Sequence, residues 1–328
     1  MGIYAGRTIL VTGGAGYIGS LLVERLLALG ARPRVIIQDK GLDRVVLERF
    51  GADLEIIAGD IRDPSAWGDW VRDCDLVFHM AAQTSHYEAN RDPAGDWALN
   101  VAPVLHLAAA LKNGKEPRKT PCHVVLASTV TVYGLTDYAD FPVKETQRVS
   151  PLTVYDIHKF SAESFLGFFA QMGELSAVSL RLANVYGPSN GVSGQDRGVV
   201  TMLGRKALAA EPITVFGSGA WLRDYVHVND VVDAFVRAGE LKISGARVFN
   251  VCTGIGTPFI EMVRFLVQEA GRMTGRMSAI EHKQILLSPI DERTFVGSHA
   301  ELSKATDWQP EIALQAGLTN CLERLNRP

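Results

Sequence analysis

Tyr155 and Lys159, in Tyr155-Asp156-Ile157-His158-Lys159, stand four residues apart and share one face of any helix that carries them. That spacing suits a proton-transfer base. A phenol ionises near pH 10, and bringing it to ~7 takes about 4 kcal/mol of preferential stabilisation of the phenolate. An ammonium one turn away supplies part of this, and a second positive charge from a bound group would supply the rest. Upstream, Val124-Val-Leu-Ala-Ser128-Thr129 reads as a buried strand ending in two hydroxyls. Thr129 could hydrogen-bond a substrate hydroxyl or the ketone it becomes. A Tyr-x3-Lys pair alone is ordinary helix-surface chemistry, so the reading rests on its surroundings.

The first of these surroundings is Thr12-Gly13-Gly14-Ala15-Gly16-Tyr17-Ile18-Gly19-Ser20, between a strand-like run and an apolar helical one. Glycines at 13, 16 and 19 fit a dinucleotide-binding turn. The first permits the tight turn, the second lets backbone approach a pyrophosphate, and the third lets helix pack on strand. The helix N-terminus then offers free N–H groups to the phosphates. No lysine follows Gly19, so the loop lacks the anchor of a nucleoside triphosphatase. Asp39, 20 residues past Gly19 at the end of the second strand, would accept both ribose hydroxyls and repel a 2′-phosphate, which favours NAD over NADP. Arg34, Lys40 and Arg44 lie near enough to keep NADP open. Asp60, ending the third strand, could cap the adenine amino group or simply close a turn. With NAD in place, an oxidised nicotinamide is the second positive charge that Tyr155 needs.

The elements that must hold these groups show as alternation. Thr8–Val11, Val35–Ile37, Leu54–Ile57, Leu76–Phe78 and Val124–Leu126 are short aliphatic runs bounded by turn residues. Between them Ile18–Leu29, Pro64–Val71 and Trp97–Leu111 have helical period, with Asp63-Pro64 expected to cap the second. Continuous apolar strands alternating with helices predict an α/β fold, a Rossmann-like doubly wound parallel sheet covered on both faces. After residue 183 the pattern loosens into a smaller mixed unit, with helices near Val199–Ala209, Asp230–Glu240 and Phe259–Ala270. The expected division is an NAD-binding domain over 1–183, rejoined by strand and helix from about 226–257. A substrate-binding unit takes 184–225 and 258–328.

Composition excludes several classes. Of 328 residues 47% are hydrophobic and 21% charged, which argues against disorder. With 33 basic and 36 acidic residues the net charge is −3, without the basic footprint of a nucleic-acid binder. Lys112, Lys115, Arg118 and Lys119, interrupted by Gly114 and Pro117, read as a solvated loop. Cys74, Cys122, Cys252 and Cys321 form no CxxC pair, as expected of reduced thiols in a cytoplasmic protein. The chain enters a strand-like run at Arg7, which leaves no room for a signal peptide. Val101–Leu111, the longest nearly apolar stretch, is too short for a bilayer. No ligand spacing points to a metal.

Beyond these residues the chain resembles the extended short-chain dehydrogenases/reductases, and among them the NAD-dependent sugar-nucleotide epimerase/dehydratase family. The likeness runs nearly end to end. It includes His79-Met-Ala-Ala-Gln83, Asn100, Ser128-Thr129-Val-Thr-Val-Tyr133-Gly134 and Arg181-Leu-Ala-Asn184-Val-Tyr-Gly-Pro188. It continues through Arg223-Asp224-Tyr-Val-His227-Val-Asn-Asp230 to Ser303-Lys-Ala with Trp308-Gln-Pro310. The resemblance implies a catalytic set of Thr129, Tyr155 and Lys159. It implies cofactor contacts from Gly13, Gly16, Tyr17, Ile18, Gly19, Asp39, Asp60, Ile61, Ala81, Ala82, Gln83 and Asn100, and a structural role for His79. Substrate contacts are implied for Thr84, Ser128, Asn184 and Val215, with Arg223 and Arg293 on the diphosphate, for which the arginine fork is suited. It also implies a homodimer through helices around Trp97–Leu111 and Tyr155–Met172, which the apolar character of Phe160, Phe165, Leu166, Phe168 and Phe169 permits, though buried core explains those residues equally well.

The family's dehydratases and decarboxylases carry an acidic residue just after the catalytic hydroxyl. Thr129-Val130-Thr131-Val132 has none, and elimination needs a general acid and base. What remains is reversible hydride transfer, and the expected activity is epimerisation at C4 of a UDP-hexose. Asn184 and Ser189 differ from the threonine and arginine expected of a glucuronate epimerase. Gln83-Thr84-Ser85-His86 leaves another sugar or carbon open, on a UDP-, CDP- or dTDP-carrier. The alternatives are a 4-ketosugar reductase that releases its cofactor each turnover, or a non-catalytic NAD-sensing scaffold.

Overall fold

The computed structural model describes residues 2–38, 42–114, 120–188, 198–285 and 288–326. Strands follow along the chain as β1 (Thr8–Thr12), β2 (Arg32–Ile37), β3 (Glu55–Ala58), β4 (Leu76–His79), β5 (Cys122–Thr129) and β6 (Leu175–Leu182). They continue as β7 (Asn184–Tyr186), β8 (Ile213–Phe216), β9 (Leu222–His227), β10 (Ala246–Val251), β11 (Gly256–Pro258) and β12 (Ile280–Lys283). Seven of them form one sheet in the order β10-β6-β5-β4-β1-β2-β3, and β1 pairs in parallel with both β2 and β4. The order reverses beside β1, so the carboxyl ends of β1 and β4 flank the crevice where open α/β sheets take ligands. The predicted doubly wound sheet is the one found. Its central strands are buried along nearly their whole length because helices cover both faces, and all eight residues of β6 are buried.

Two compact units emerge from the contacts. The first comprises 1–132, 151–181 and 232–249, and the second 133–150, 182–231 and 250–328. The segment that rejoins the first unit is therefore shorter than the 226–257 expected, because β9 pairs with β7 and β11 in a separate three-stranded sheet. The first unit's core gathers Trp67, Trp70, Leu107, Val124 and Leu166. The second unit's core gathers Tyr186, Leu203, Val215, Leu266 and Leu318, beside a parallel β8–β12 pair. All four cysteines are buried, and no disulfide joins them. None of the described helices is long and apolar enough to cross a membrane. Lys112 pairs with Glu174 at 2.8 Å, while Lys115, Arg118 and Lys119 lie outside the described residues.

Two helices depart from expectation. Asp63-Pro64 does not open one: the Asp63 carboxylate accepts from the N–H and hydroxyl of Ser65 at 2.9 and 2.7 Å, closing a local turn, and the helix is only Trp67–Trp70. The expected Trp97–Leu111 helix is two, Pro93–Asn100 and Ala102–Lys112, broken at Val101. Pro103 cannot donate to the preceding turn and clashes with its carbonyl, so it restarts the helix instead of continuing it.

Candidate active site

The loop after β1 is built around missing side chains. Gly13 is left-handed at φ 69°, and a Cβ there would meet the Ala81 backbone nitrogen at 2.7 Å. A Cβ on Gly19 would lie 2.1 Å from the Gly13 carbonyl oxygen, so the helix Tyr17–Ala28 can press on the loop only through glycine. Gly16, its N-cap, provides no side-chain acceptor for the first-turn N–H groups. At the end of β4, the Ala81 N–H donates to Thr12 Oγ1 at 3.2 Å, and that hydroxyl also bonds His79 Nδ1 at 2.8 Å. His79 is fully buried and held neutral, its pKa pushed down to about 3 by desolvation and then by the Lys159 charge. Behind it, Asn100 donates to the Gln83 carbonyl at 3.0 Å and to Asp96 at 2.9 Å, while its own side-chain oxygen is buried with no partner among the described residues. A glycine cradle shut to side chains and an orphaned amide oxygen at the same strand ends fit a dinucleotide. Gly13, Gly16, Tyr17, Ile18, Gly19, Ala81, Ala82, Gln83 and Asn100 all lie on these segments. Asp39 and Lys40 lie outside the described residues.

Other cofactor-side residues are already engaged. Asp60 grips Arg62 through both carboxylate oxygens and accepts from Gln38 at 3.3 Å, which lowers its pKa, chiefly through Arg62. Its neighbour Ile61 is buried, with its carbonyl accepting from Trp67 Nε1 at 2.9 Å. Arg34, kept open above as a partner for a 2′-phosphate, is withdrawn from that role. It lies inside β2, not at its carboxyl end, bonded to Glu55 at 2.7 Å and the Trp70 carbonyl at 3.0 Å.

The reactive cluster forms where β5 ends against the helix Val154–Gln171. Thr153 caps that helix in a reciprocal capping box with Asp156, which sets the first turn and brings Tyr155 and Lys159 onto the face toward β5. Tyr155 is half-buried, with Thr129 as a hydrogen-bonding neighbour of its hydroxyl. Burial pushes its pKa well up, with Asp156 and Asp96 adding to the push and the Thr129 bond opposing it. The protein's own groups therefore hold the phenol protonated, opposite to the depression expected from Lys159 alone. Lys159 is 3% exposed, and desolvation brings its ammonium down to about 8, against upward pulls from Glu163 and Asp96. A lysine so burdened cannot overcome the burial of its neighbour, so lowering the phenol takes a further positive charge.

Residues that pattern-reading missed surround this cluster. Thr131 Oγ1 donates to Asp156 Oδ1 at 2.5 Å and lies 3.0 Å from Thr129 Oγ1. A carboxylate does reach the segment after Thr129, brought from the helix 25 residues on. Asp96 accepts from Gln83 at 2.8 Å and from Asn100, and pairs with His158 at 2.7 Å, so it ties the β4 loop to the catalytic helix. One turn beyond Lys159, Glu163 takes both Arg181 nitrogens and the Ser128 hydroxyl. Ser128's proton is thus committed to the framework. The capping pattern Thr153-x-x-Asp156 was visible in the sequence; Asp96 and Glu163 left no comparable signal.

Thr84 is exposed in the loop after β4. The remaining substrate-side residues belong to the second unit. Asn184 is exposed at the start of β7, whereas Val215 is buried in the apolar core, leaving only its main chain for a ligand. Arg223 donates to the Asp291 carbonyl at 2.7 Å. Desolvation, with Arg293 nearby, brings its pKa to about 10. The two cations are within electrostatic reach of each other. Beneath them Asp224 accepts from Thr253 N–H and hydroxyl at 2.8 and 2.7 Å and Gly254 N–H at 2.9 Å, fixing the strand that carries Arg223.

Residues 9–252 match the model of the NAD dependent epimerase/dehydratase family. The UDP-glucose 4-epimerase of Mycolicibacterium smegmatis is 34% identical over 318 residues, 96% of this chain and 97% of that one. Among solved structures, the UDP-glucose 4-epimerase of Thermotoga maritima with UDP-glucose superposes with a TM-score of 0.82 at 31% identity, covering 96% of this chain and 97% of that one. The Thermus thermophilus UDP-glucose 4-epimerase in complex with NAD has a TM-score of 0.82 at 29% identity, covering 97% and 98%.

Proposed function

This chain belongs to the NAD dependent epimerase/dehydratase family, and from that premise we propose that it is a nucleotide-sugar epimerase inverting C4 of a UDP-hexose. The observation that carries the reading is the state of the carboxylates beside Tyr155. Asp156 is occupied by Thr131 and the N–H groups of Leu152 and Thr153, and Asp96 by Gln83, Asn100 and His158. Neither can serve an elimination or a decarboxylation as an acid or base, so what the cluster can run is proton transfer coupled to reversible hydride transfer. Likeness over nearly the full length to 4-epimerases points the same way.

NAD, when bound, would supply a hydride acceptor and donor and, oxidised, the positive charge that favours the Tyr155 phenolate, and the glycine cradle and the Asn100 oxygen would hold it. Tyr155 takes the proton of the C4 hydroxyl and gives it back once the sugar has presented its other face. Lys159 stabilises the phenolate between these events, and Thr129 keeps the sugar oxygen at the phenol. The diphosphate is assigned to Arg223 and Arg293, with Asn184 alongside.

A homodimer is part of the same reading. Trp97, Ile157, Phe168 and Met172 stay 39%, 46%, 56% and 62% exposed, and the last three follow one stripe of the helix Val154–Gln171. Four buried thiols without a disulfide accord with a cytoplasmic site of action.

Proton NMR of the purified protein with UDP-, dTDP-, CDP- and GDP-sugars, without added cofactor, tests the activity. A new anomeric signal rising to an equilibrium ratio is expected with a UDP-hexose. Conversion only when NADH or NADPH is supplied, stoichiometric with a consumed ketosugar, would instead identify a reductase.

A further inference from the structure

Asp96 and Asn100 stand four residues apart on the helix Pro93–Asn100, share one of its faces, and are at most 3% exposed. Asn100 Nδ2 spends one proton on the Gln83 carbonyl at 3.0 Å and the other on Asp96 Oδ1 at 2.9 Å. Turning the amide over would set its oxygen against a carbonyl and a carboxylate, neither of which can donate, so its orientation is fixed. Asp96 Oδ1 also accepts from Gln83 Nε2 at 2.8 Å; the other Nε2 proton goes to the Ser85 carbonyl at 2.8 Å, and Gln83 Oε1 accepts from Ser85 N–H. Asp96 Oδ2 takes His158 Nδ1–H at 2.7 Å. Asp96, Gln83 and the Asn100 nitrogen are thus satisfied, while the Asn100 oxygen is a buried acceptor without a partner among the described residues. We propose that Asp96 is a positioning residue for the cofactor, fixing the Asn100 amide so that its oxygen is presented to a hydroxyl or amide N–H of bound NAD.

The inference rests on the reading that the Asn100 oxygen meets NAD, and it adds what holds that oxygen in place. Burying a carboxylate is costly unless donors surround it, and at Asp96 three donors from three segments do so. The two oxygens divide the work. Oδ1 serves the loop after β4 and Asn100, whereas Oδ2 serves the catalytic helix through His158, whose ring has Trp97 edge-on at 5.5 Å. Loss of the His158 bond leaves both anchors of Asn100 intact, whereas loss of Asp96 removes one of them. An amide held at one proton can turn its oxygen away, and the cofactor then has to restore the orientation out of its own binding energy.

Equilibrium dialysis of the full-length protein and its variants against a series of NAD concentrations tests this without turnover. Asn100→Ala removes the oxygen and is expected to weaken NAD binding about tenfold. Asp96→Leu keeps the oxygen but frees the amide, and a loss of about five- to tenfold is expected. Asp96→Asn can leave its oxygen on Asn100 and Gln83 and turn its NH2 to His158 Nδ1, so affinity should stay within about threefold of wild type. His158→Leu leaves Oδ1 alone and should do the same. The Asp96→Leu/Asn100→Ala double variant should bind no more weakly than Asn100→Ala, because Asp96 acts through that amide. Where Asp96→Leu does not fold, Asp96→Ser, whose hydroxyl is too short to reach Asn100, takes its place with the same expectation. Wild-type affinity in Asp96→Leu, additive losses in the double variant, or an equal loss in His158→Leu would overturn the role of Asp96. Wild-type affinity in Asn100→Ala would overturn the contact between that oxygen and NAD, and the role of Asp96 with it. Turnover is not read, so an absence of epimerase activity would count against the function alone.

Discussion

Two successive turns of the helix Val154–Gln171 bury charge in opposite ways. At Glu163 the carboxylate meets the Arg181 fork at 2.7–3.2 Å, takes the Ser128 hydroxyl as well, and both side chains of the pair are at most 4% exposed. At Lys159 an equally buried ammonium has lost part of its hold on the proton, and beside it Tyr155 is driven toward the neutral form. Burial is common to both turns, and compensation separates them. The saturated turn has its charges cancelled locally and can only hold β5, β6 and the helix together. The unsaturated turn keeps an unmet demand for charge that a ligand can answer, which is the condition for chemistry.

The comparison is broken most strongly at the unsaturated turn. Tyr155→Phe is expected to lower kcat by ~10²- to 10⁴-fold while changing unfolding free energy by about 1 kcal/mol or less. NMR turnover and denaturant unfolding on one preparation check both; a large stability loss would show the phenol to be structural. At the saturated turn the effects should exchange places. Arg181→Met strands Glu163 and should cost about 3–5 kcal/mol of stability, leaving kcat per folded molecule within a few-fold. The Glu163→Met/Arg181→Met pair should recover most of that loss. If the single variant destabilises no more than the double, Arg181 is not compensating Glu163.

The smallest effect sharpens the contrast by its sign. Lys159 has a folded-state pKa of about 8 against an ordinary 10.5. Below pH 8 it is charged in both states, and the full burial penalty is present. Between about 8 and 10.5 the folded chain sheds its proton first, so stability rises with pH across that window. Lys159→Met should therefore be inactive yet more stable than wild type at pH 7, by an amount on the order of 2–3 kcal/mol, with the gain gone by about pH 10.5. Unfolding curves at pH 7 and 10 measure it, and a variant less stable than wild type at pH 7 would refute the penalty.

How much of this was legible depended on whether the cause was local. The glycine loop, the β5 hydroxyls and the Tyr155/Lys159 spacing each lie within one strand–turn–helix stretch, and residue type and period reveal them. Asp63-Pro64 misled because an aspartate that caps a helix and one that closes a turn look identical until the following serine is seen to donate. Pro103 signalled a break that the apolar period around it masked. Arg34 passed for a cofactor neighbour because β2 starts at Arg32, three residues before its clearly apolar part, which places the side chain against Glu55. The bond between Thr131 and Asp156 spans 25 residues and needs both the end of β5 and the helix start to be in place. Patterning within either segment does not encode it.

The interleaving of the two units has a consequence for modularity. Every residue proposed for catalysis precedes residue 183, yet residues 232–249, including most of β10, belong to the first unit, and β10 is the neighbour of β6. A gene fragment ending at 183 would encode the whole reactive cluster and still present β6, eight residues buried in the intact protein, as a bare sheet edge open to pairing with any other strand. Such a chain is expected to associate through that edge when expressed alone. Recombination within the lineage would have to exchange the N-terminal half together with the residues that return to it from beyond 231.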